Sequence, residues 1–187
     1  DFDPFLRNRA KEAGAQCMTG TFMRIERDSD GTHVVYRDKE SGEEISLATK
    51  LIIGADGARS KVAKAEVPGG DKIPYVIAYH EIIEAPAASH NYDPKRCDVI
   101  YDGDISPDFY GWVFPHGKTM SVGTGSADKG FSLRSATGHL RKVAGLSDAL
   151  TLRREGAPIP LKPLPQWDNG RDVLVVGDAA GVVAPSS

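Results

Sequence analysis

Two aspartates in this sequence follow short apolar segments, and small residues surround both of them. Asp56 and Gly57 come directly after residues 51–54, and Gly177 and Asp178 come directly after residues 173–176. A short apolar run is typical of a strand buried on both faces of a parallel sheet, and ligands bind at the carboxyl ends of such strands. Glycine lets the backbone approach a ligand, and a carboxylate accepts hydrogen bonds from sugar or ribityl hydroxyls. The two segments together predict a nucleotide cofactor site.

An alternative interpretation needs no ligand. Aspartate is a favoured residue at helix N-caps, so Asp56 and Asp178 are explained equally by two helices that begin there. The small residues after Asp178 are expected to open a helix whose amino end can face a phosphate. The G-x-G-x-x-G fingerprint of dinucleotide binding does not occur anywhere in the 187 residues.

A run of aromatic residues between these segments indicates a second kind of site. Tyr110, Trp112 and Phe114 alternate along a predicted strand and therefore share one of its faces, and Pro115 is expected to end that strand. Such rings line an apolar slot, although they are also ordinary residues for the core of a sheet. His116 is predicted to be a surface turn residue.

The elements that must position these residues follow from the pattern of the chain. A helix near Pro4, a β-hairpin and a third short strand precede the first apolar strand. Strands at 73–84, 97–101, 110–114 and 119–124 predict an antiparallel sheet, and a helix at 132–144, a short strand at 152–155 and an extended proline-rich connection lead to the last strand. We therefore predict three parts: a cofactor-binding domain at 1–70, a sheet domain at 71–165, and a return to the first domain at 166–187.

The totals exclude several classes of protein. The net charge is −3, from 23 basic and 26 acidic residues, so no basic field indicates nucleic-acid binding. Cys17 and Cys97 are expected to be reduced thiols, and the five histidines lack metal-ligand spacing, so no metal site is predicted. No apolar run approaches the ~20 residues of a membrane span. The chain begins without Met and is interpreted as an internal segment of a longer protein.

Several motifs resemble a known group of flavoproteins. Residues 54–60, Gly-Ala-Asp-Gly-Ala-Arg-Ser, and residues 177–181, Gly-Asp-Ala-Ala-Gly, resemble the second and third flavin motifs of the para-hydroxybenzoate-hydroxylase-like FAD enzymes. Residues 106–115, Ser-Pro-Asp-Phe-Tyr-Gly-Trp-Val-Phe-Pro, followed by Val-Gly-Thr-Gly at 122–125 and Pro-Ile-Pro at 158–160, resemble the geranylgeranyl reductase family. The likeness is greatest to its chlorophyll and bacteriochlorophyll branch.

This resemblance implies an α/β fold, α+β overall: a partial glutathione-reductase-type FAD-binding domain with an inserted antiparallel-sheet substrate domain. It implies that Asp178 binds the ribityl chain of FAD. It also implies that Asp56 and Gly57 belong to the motif near the pyrophosphate, which is linked to pyridine-nucleotide binding. The other residues expected at the cofactor are Gly177, Ala179, Ala180, Gly181 and Pro185.

The reaction implied is reduction of C=C bonds of a geranylgeranyl chain to phytyl, with NADPH reducing FAD. The substrate is expected to be a geranylgeranyl-bearing pigment or geranylgeranyl diphosphate, bound by Tyr110, Trp112, Phe114 and Pro115. No motif identifies the proton donor, and Tyr110 is a candidate only because a phenol can donate. The isolated segment is expected to be inactive, because it lacks the first flavin motif.

Two other functions stay open at this point. They are a flavin-dependent aromatic monooxygenase of the same fold and a prenyl- or lipid-binding module. The expected location is the cytoplasm, with peripheral contact to a photosynthetic membrane, and the oligomeric state is undetermined.

Overall fold

The computed structural model describes residues 2–87 and 92–183. Three helices and ten strands are present in these ranges. The helices are α1 (Phe2–Glu12), α2 (Lys61–Glu66) and α3 (Leu133–Val143). Helix α1 already includes Phe2, so Pro4 lies within its first turn, as the sequence predicted. Among the residues described, no helix combines the length and the hydropathy needed to cross a bilayer.

Three antiparallel strands follow α1. They are β1 (Gly20–Asp28), β2 (Gly31–Asp38) and β3 (Glu44–Thr49), and they pair in the order β1-β2-β3. The turn between β1 and β2 joins Asp28 to Gly31, which has a φ of 128° that suits glycine. The predicted hairpin and its third strand are therefore confirmed.

The two short apolar strands are neighbours in a parallel pair. Strand β4 (Ile52–Gly54) lies beside β10 (Val173–Val175), with Ile52 opposite Val173 and Gly54 opposite Val175. Helix α2 packs on this pair, and its Val62 and Ala63 are buried with the strand residues in one apolar cluster. The prediction that both apolar runs are strands of a parallel sheet is confirmed, and the structure adds that the two strands are neighbours.

A five-stranded antiparallel sheet occupies the middle of the chain. Its strand order is β6-β7-β8-β5-β9, and helix α3 packs on one face. That face buries an apolar core around Met120, Val122 and Leu140. The strands are β5 (Tyr75–Glu84), β6 (Asp98–Ile100), β7 (Gly111–His116), β8 (Thr119–Ser126) and β9 (Thr151–Pro160). The boundaries of the three predicted domains stay a prediction.

Two expectations about proline were wrong. Strand β9 continues through Pro158 and Pro160, which the sequence placed in an extended connection after a short strand at 152–155. Within the described residues β9 pairs only with β5, so it is an edge strand, where proline is tolerated because its missing N–H faces away from the ladder. Pro115 does not end β7, because it still pairs with Met120 of β8 beyond the last residue that pairs with β6.

A network of charged side chains fastens the first hairpin to the parallel pair. Arg27 of β1 donates two hydrogen bonds to Asp172, both of 2.9 Å, and two to Glu66 of α2. Thr32 and Asn169 also donate to the Asp172 carboxylate, at 2.6 and 3.0 Å. These hydrogen bonds hold the pKa of Asp172 well below its usual range, with the Arg27 guanidinium as the main cause.

Candidate functional site

The carboxyl ends of β4 and β10 bring the two aspartate turns to the same edge of the parallel pair. The amide of Val176 donates to the carbonyl of Gly54 at 3.0 Å, so the two chains leave the pair side by side. Asp56 and Gly57 follow one strand, and Gly177 and Asp178 follow the other. The structure therefore brings together the residues that the sequence assigned to the cofactor.

The Asp56 carboxylate is used inside the protein. It accepts hydrogen bonds from the Ser60 hydroxyl, from the amide of Lys61 at 2.7 Å and from the amide of Val62 at 3.3 Å. Ser60 is the N-cap of α2 and accepts from the amide of Ala63. Two side chains thus satisfy the free amides at the start of α2, which matches the capping interpretation for this turn.

Asp178 has a different environment. Its side chain is exposed, and within the described residues its carboxylate accepts no hydrogen bond. The chain around it forms a single 3₁₀ turn, Gly177–Ala180, instead of the expected α-helix, because Gly181 takes a left-handed conformation with a φ of 72° and ends the turn. Asp178 is therefore free to accept hydrogen bonds from a ligand.

The glycines of the two turns also differ in what surrounds them. Gly57 and Gly177 have left-handed φ values of 80° and 57°, and a Cβ at either position would meet nothing within 4 Å. A Cβ at Gly181, in contrast, would collide with the backbone carbonyl of Lys162. The open space suits close approach of a ligand at Gly57 and Gly177, whereas Gly181 is required for packing within the protein.

The remaining residues expected at the cofactor offer less. The side chains of Ala179 and Ala180 are fully buried in the core beside α2, so only their backbone can face a ligand. Pro185 lies outside the described residues. The carboxyl edge of β4 and β10 still fits FAD, because a free carboxylate and two open glycines lie together where the parallel strands end.

The aromatic residues of the middle sheet form a continuous row. The ring centroids of Tyr110 and Trp112 are 6.2 Å apart, and those of Trp112 and Phe114 are 6.3 Å apart. Trp112 and Phe114 lie in β7, and Tyr110 precedes its first residue. Trp112 is buried, and Tyr110, Phe114 and Pro115 are partly buried. Burial raises the pKa of the Tyr110 phenol, which makes it a weaker acid.

Two glycines of β8 make room for these rings. A Cβ at Gly123 would lie 2.6 Å from the Trp112 ring and 2.5 Å from the carbonyl oxygen of Tyr79. A Cβ at Gly125 would lie 3.0 Å from the ring of Phe109, which stacks on Tyr110. The Gly-Thr-Gly segment is therefore needed because the rings of Phe109 and Trp112, from a neighbouring segment of the same chain, lie directly over β8.

A chain of hydrogen-bonding groups begins at Trp112, and it was not predicted from the sequence. Trp112 Nε1 donates to the Ser121 hydroxyl at 3.0 Å, and this hydroxyl lies 2.8 Å from His80 Nδ1. His80 Nε2 lies 3.1 Å from a carboxylate oxygen of Glu155. The position of His80 in the sequence could have indicated these contacts. His80 alternates along β5 with Val76 and Ala78, which are buried. A polar side chain on such a face needs a hydrogen-bond partner.

These groups face a groove on the side of the sheet opposite α3. His80 and Ser121 line it together with Ile82, and α1 contributes Phe2 and Arg7. Its volume is about 800 Å³. His80 is opposite Gly123, which is opposite Trp112, so the groove and the aromatic row share one face of the sheet.

The chain is similar to known flavoproteins. Residues 1–75 match a family model described as an FAD binding domain, which supports the prediction of FAD. Over all 187 residues the chain is 62% identical to a geranylgeranyl diphosphate reductase of Rhodobacter capsulatus, of which it covers 47%. It is 37% identical to the chloroplastic geranylgeranyl diphosphate reductase of Oryza sativa, with 99% of the chain and 42% of that relative aligned.

A solved structure extends the comparison to the fold. A geranylgeranyl bacteriochlorophyll reductase-like protein of Thermoplasma acidophilum superposes with a TM-score of 0.78 at 23% identity, and the match covers 98% of this chain and 47% of that one. The chain spans about half the length of the relatives it matches. The predicted resemblance and the predicted fold class are both confirmed.

Proposed function

We propose that this chain is a segment of an FAD-dependent, NADPH-using reductase of the geranylgeranyl reductase family, which saturates the C=C bonds of a geranylgeranyl chain to phytyl. One observation carries the proposal. The row of Tyr110, Trp112 and Phe114 lies on a sheet that follows an FAD-binding domain in the same chain. Apolar rings recognise an isoprenoid chain by contact area, because such a chain offers no polar groups.

The cofactor end of the proposal rests on Asp178, Gly177 and Gly57. The free carboxylate of Asp178 accepts hydrogen bonds from the ribityl hydroxyls of FAD, and the open glycines let the backbone approach the cofactor. Asp56 supports the site indirectly, since its carboxylate orders the start of α2. When bound, FAD supplies the redox chemistry by accepting hydride from NADPH and passing it to the alkene.

The substrate end of the proposal is the aromatic row. The half-buried Tyr110 and Phe114 present ring surface to a prenyl chain, and the buried Trp112 packs between them. These rings exclude bulk water from the reacting carbons and so provide the apolar pocket in which hydride transfer takes place. We propose that the acceptor is a geranylgeranyl-bearing pigment or geranylgeranyl diphosphate, reached by peripheral contact with a pigment-containing membrane.

The test is an anaerobic assay of the full-length protein with NADPH. One arm contains geranylgeranylated bacteriochlorophyll and the other contains geranylgeranyl diphosphate. The expected result is NADPH oxidation with products that carry added hydrogen in the prenyl chain, detected by mass spectrometry. Purified protein without bound flavin would indicate a prenyl-binding module instead. Oxygen consumption with hydroxylation of an aromatic acid, and no alkene reduction, would indicate a monooxygenase.

A further inference from the structure

The chain of groups from Trp112 to Glu155 has one consistent direction in its neutral form. The indole Nε1–H can only donate, so the Ser121 oxygen accepts from Trp112 and its own proton is available for His80 Nδ1. His80 must then carry its single proton on Nε2, where Glu155 accepts it at 3.1 Å. Every hydrogen bond in the chain therefore runs from Trp112 toward Glu155.

Adding a proton to His80 reverses one link of this chain. An imidazolium donates from both nitrogens, so its Nδ1–H becomes a donor to the Ser121 oxygen. That oxygen then accepts from both Trp112 and His80, and its hydroxyl proton has no partner within the chain. Because Ser121 lines the groove, this proton becomes available to a group bound there.

We propose that His80 supplies, through the Ser121 hydroxyl, the proton that accompanies hydride transfer to the prenyl double bond. This inference rests on the proposed function. The π bond breaks as one alkene carbon receives hydride from the reduced flavin and the other receives the Ser121 proton. Ser121 recovers a proton from His80 Nδ1–H, and neutral His80 then takes up from bulk solvent, through the groove, the one proton that each turnover consumes. Glu155 is a positioning residue that orients the ring through its contact with Nε2.

The charges around His80 agree with this role. Glu155 and Arg153 extend from β9, and Arg153 donates to Glu155 at 2.8 Å, so the carboxylate is oriented from both sides. His116 of β7 and the α1 residues Asp3 and Arg7 line the same groove. Glu155 is the one carboxylate of this set that lies within hydrogen-bond distance of His80 among the described residues.

Tyr110 is less suited than His80 to act as the acid. Burial raises the pKa of its phenol, and among the described residues no group donates a proton back to its hydroxyl. His80, in contrast, is connected both to a carboxylate and to the groove. A residue that must release and regain a proton in each turnover needs such a connection.

The test uses the full-length FAD-bound protein in stopped-flow experiments that separate the two half-reactions. The variants are His80→Gln, Ser121→Ala and Tyr110→Phe, with His116→Gln as the matched control in the same groove. We expect all of them to be reduced by NADPH at the wild-type rate. With geranylgeranyl diphosphate, reoxidation should be on the order of 100-fold slower in His80→Gln and Ser121→Ala, as for loss of an acid catalyst. Wild-type rates in both would overturn the proposal, as would a slow Tyr110→Phe beside a normal His80→Gln.

A second measurement does not depend on turnover. Nitrogen-15 NMR of histidine-labelled full-length protein should find neutral His80 protonated at Nε2, and Trp112→Phe should weaken this preference, because it removes the donor that orients Ser121. An Nδ1-protonated ring would overturn the proposal. If wild-type protein shows the Nε2 tautomer but reduces no prenyl substrate, the proposed function fails and the proton-donor role fails with it. If wild-type protein reduces the prenyl substrate and His80→Gln does so at the same rate, only the proton-donor role fails and the proposed function stands.

Discussion

At the scale of single residues, the carboxylates of Asp56 and Asp178 have different hydrogen-bonding environments. The carboxylate of Asp56 accepts hydrogen bonds from residues that begin α2, whereas Asp178 has no partner in the part of the chain that is described. The N-cap explanation therefore describes Asp56. The cofactor-ligand explanation stays a proposal for Asp178.

A matched pair of variants in the full-length protein tests this difference. Asp178→Ala should raise the dissociation constant for FAD about 10- to 100-fold, since hydrogen bonds to a charged group contribute about 1.5–3 kcal/mol. Its apo stability should be nearly unchanged. Asp56→Ala should lower the free energy of unfolding of the apo protein by about 1 kcal/mol through loss of capping. Flavin titration and urea unfolding provide the two measurements, and equal effects of both variants on both quantities would contradict the assignment.

At the scale of elements, strand β8 is shaped by the rings that lie over it. Gly123 leaves no room for a methyl group between the Trp112 ring and the backbone of Tyr79. The backbone of a central strand cannot move away without breaking its ladder, so the ring must be displaced instead. Displacement of Trp112 also removes the donor from the Ser121 hydroxyl.

Gly123→Ala should therefore lower the free energy of unfolding by about 1–3 kcal/mol, the usual cost of overpacking. Trp112 fluorescence should shift to the red as the ring becomes more exposed. Gly138→Ala is the control, because Gly138 lies in α3 with no atom within 4 Å of its Cβ position. Alanine favours helix there by about 1 kcal/mol, so a neutral or stabilising effect is expected. If Gly123→Ala had the stability and emission of wild type, the packing argument would be wrong.

The hairpin and the parallel pair are joined through Asp172, which gives this connection a pH dependence. A carboxylate whose pKa is lowered by folding stabilises the protein above its unfolded pKa of about 3.9. This stability is lost as the pH falls below that value toward the folded pKa. Unfolding free energies measured from pH 6 down to strongly acidic pH should therefore decrease through the acid range.

In Asp172→Asn the decrease should be shallower, and stability at neutral pH should be lower by about 1.5–3 kcal/mol, because the Arg27 hydrogen bonds are weakened. Glu44→Gln provides the comparison. Glu44 also pairs with arginines, but its side chain is 38% exposed, so solvent screens the pair and the change should be small. If the free energy of unfolding of Asp172→Asn fell with decreasing pH as steeply as that of wild type, other carboxylates would be responsible for the decrease.

At the scale of the whole molecule, the order of strands was predictable because apolar runs and turn residues mark it clearly. The parallel pair of β4 and β10 and the antiparallel sheet between them in sequence follow the pattern of the chain. The length of β9 could not be predicted from the sequence. Proline indicates the end of a strand unless that strand is known to lie at the edge of its sheet. Edge position is a property of the assembled sheet.

The candidate site was predictable to a similar depth. The aromatic row follows from alternation along β7, and the two aspartate turns follow from apolar strands that end in glycine. The contacts of Ser121 and Glu155 with His80 join strands β8, β5 and β9, which are far apart in the sequence. Spacing along one strand carries no information about such a chain, and it emerges only when the register between strands is known.

The prolines of β9 have a consequence for how this sheet meets other molecules. An unpaired strand edge is a template for joining a further strand, and this is a common route to aggregation. Pro158 and Pro160 are alternate residues, so they remove two successive outward amide donors from that edge. The amino-terminal half of the strand carries the charged side chains of Arg153, Arg154 and Glu155. Within the described residues, the sheet is thus protected at β9 against edge-to-edge association with its own copies.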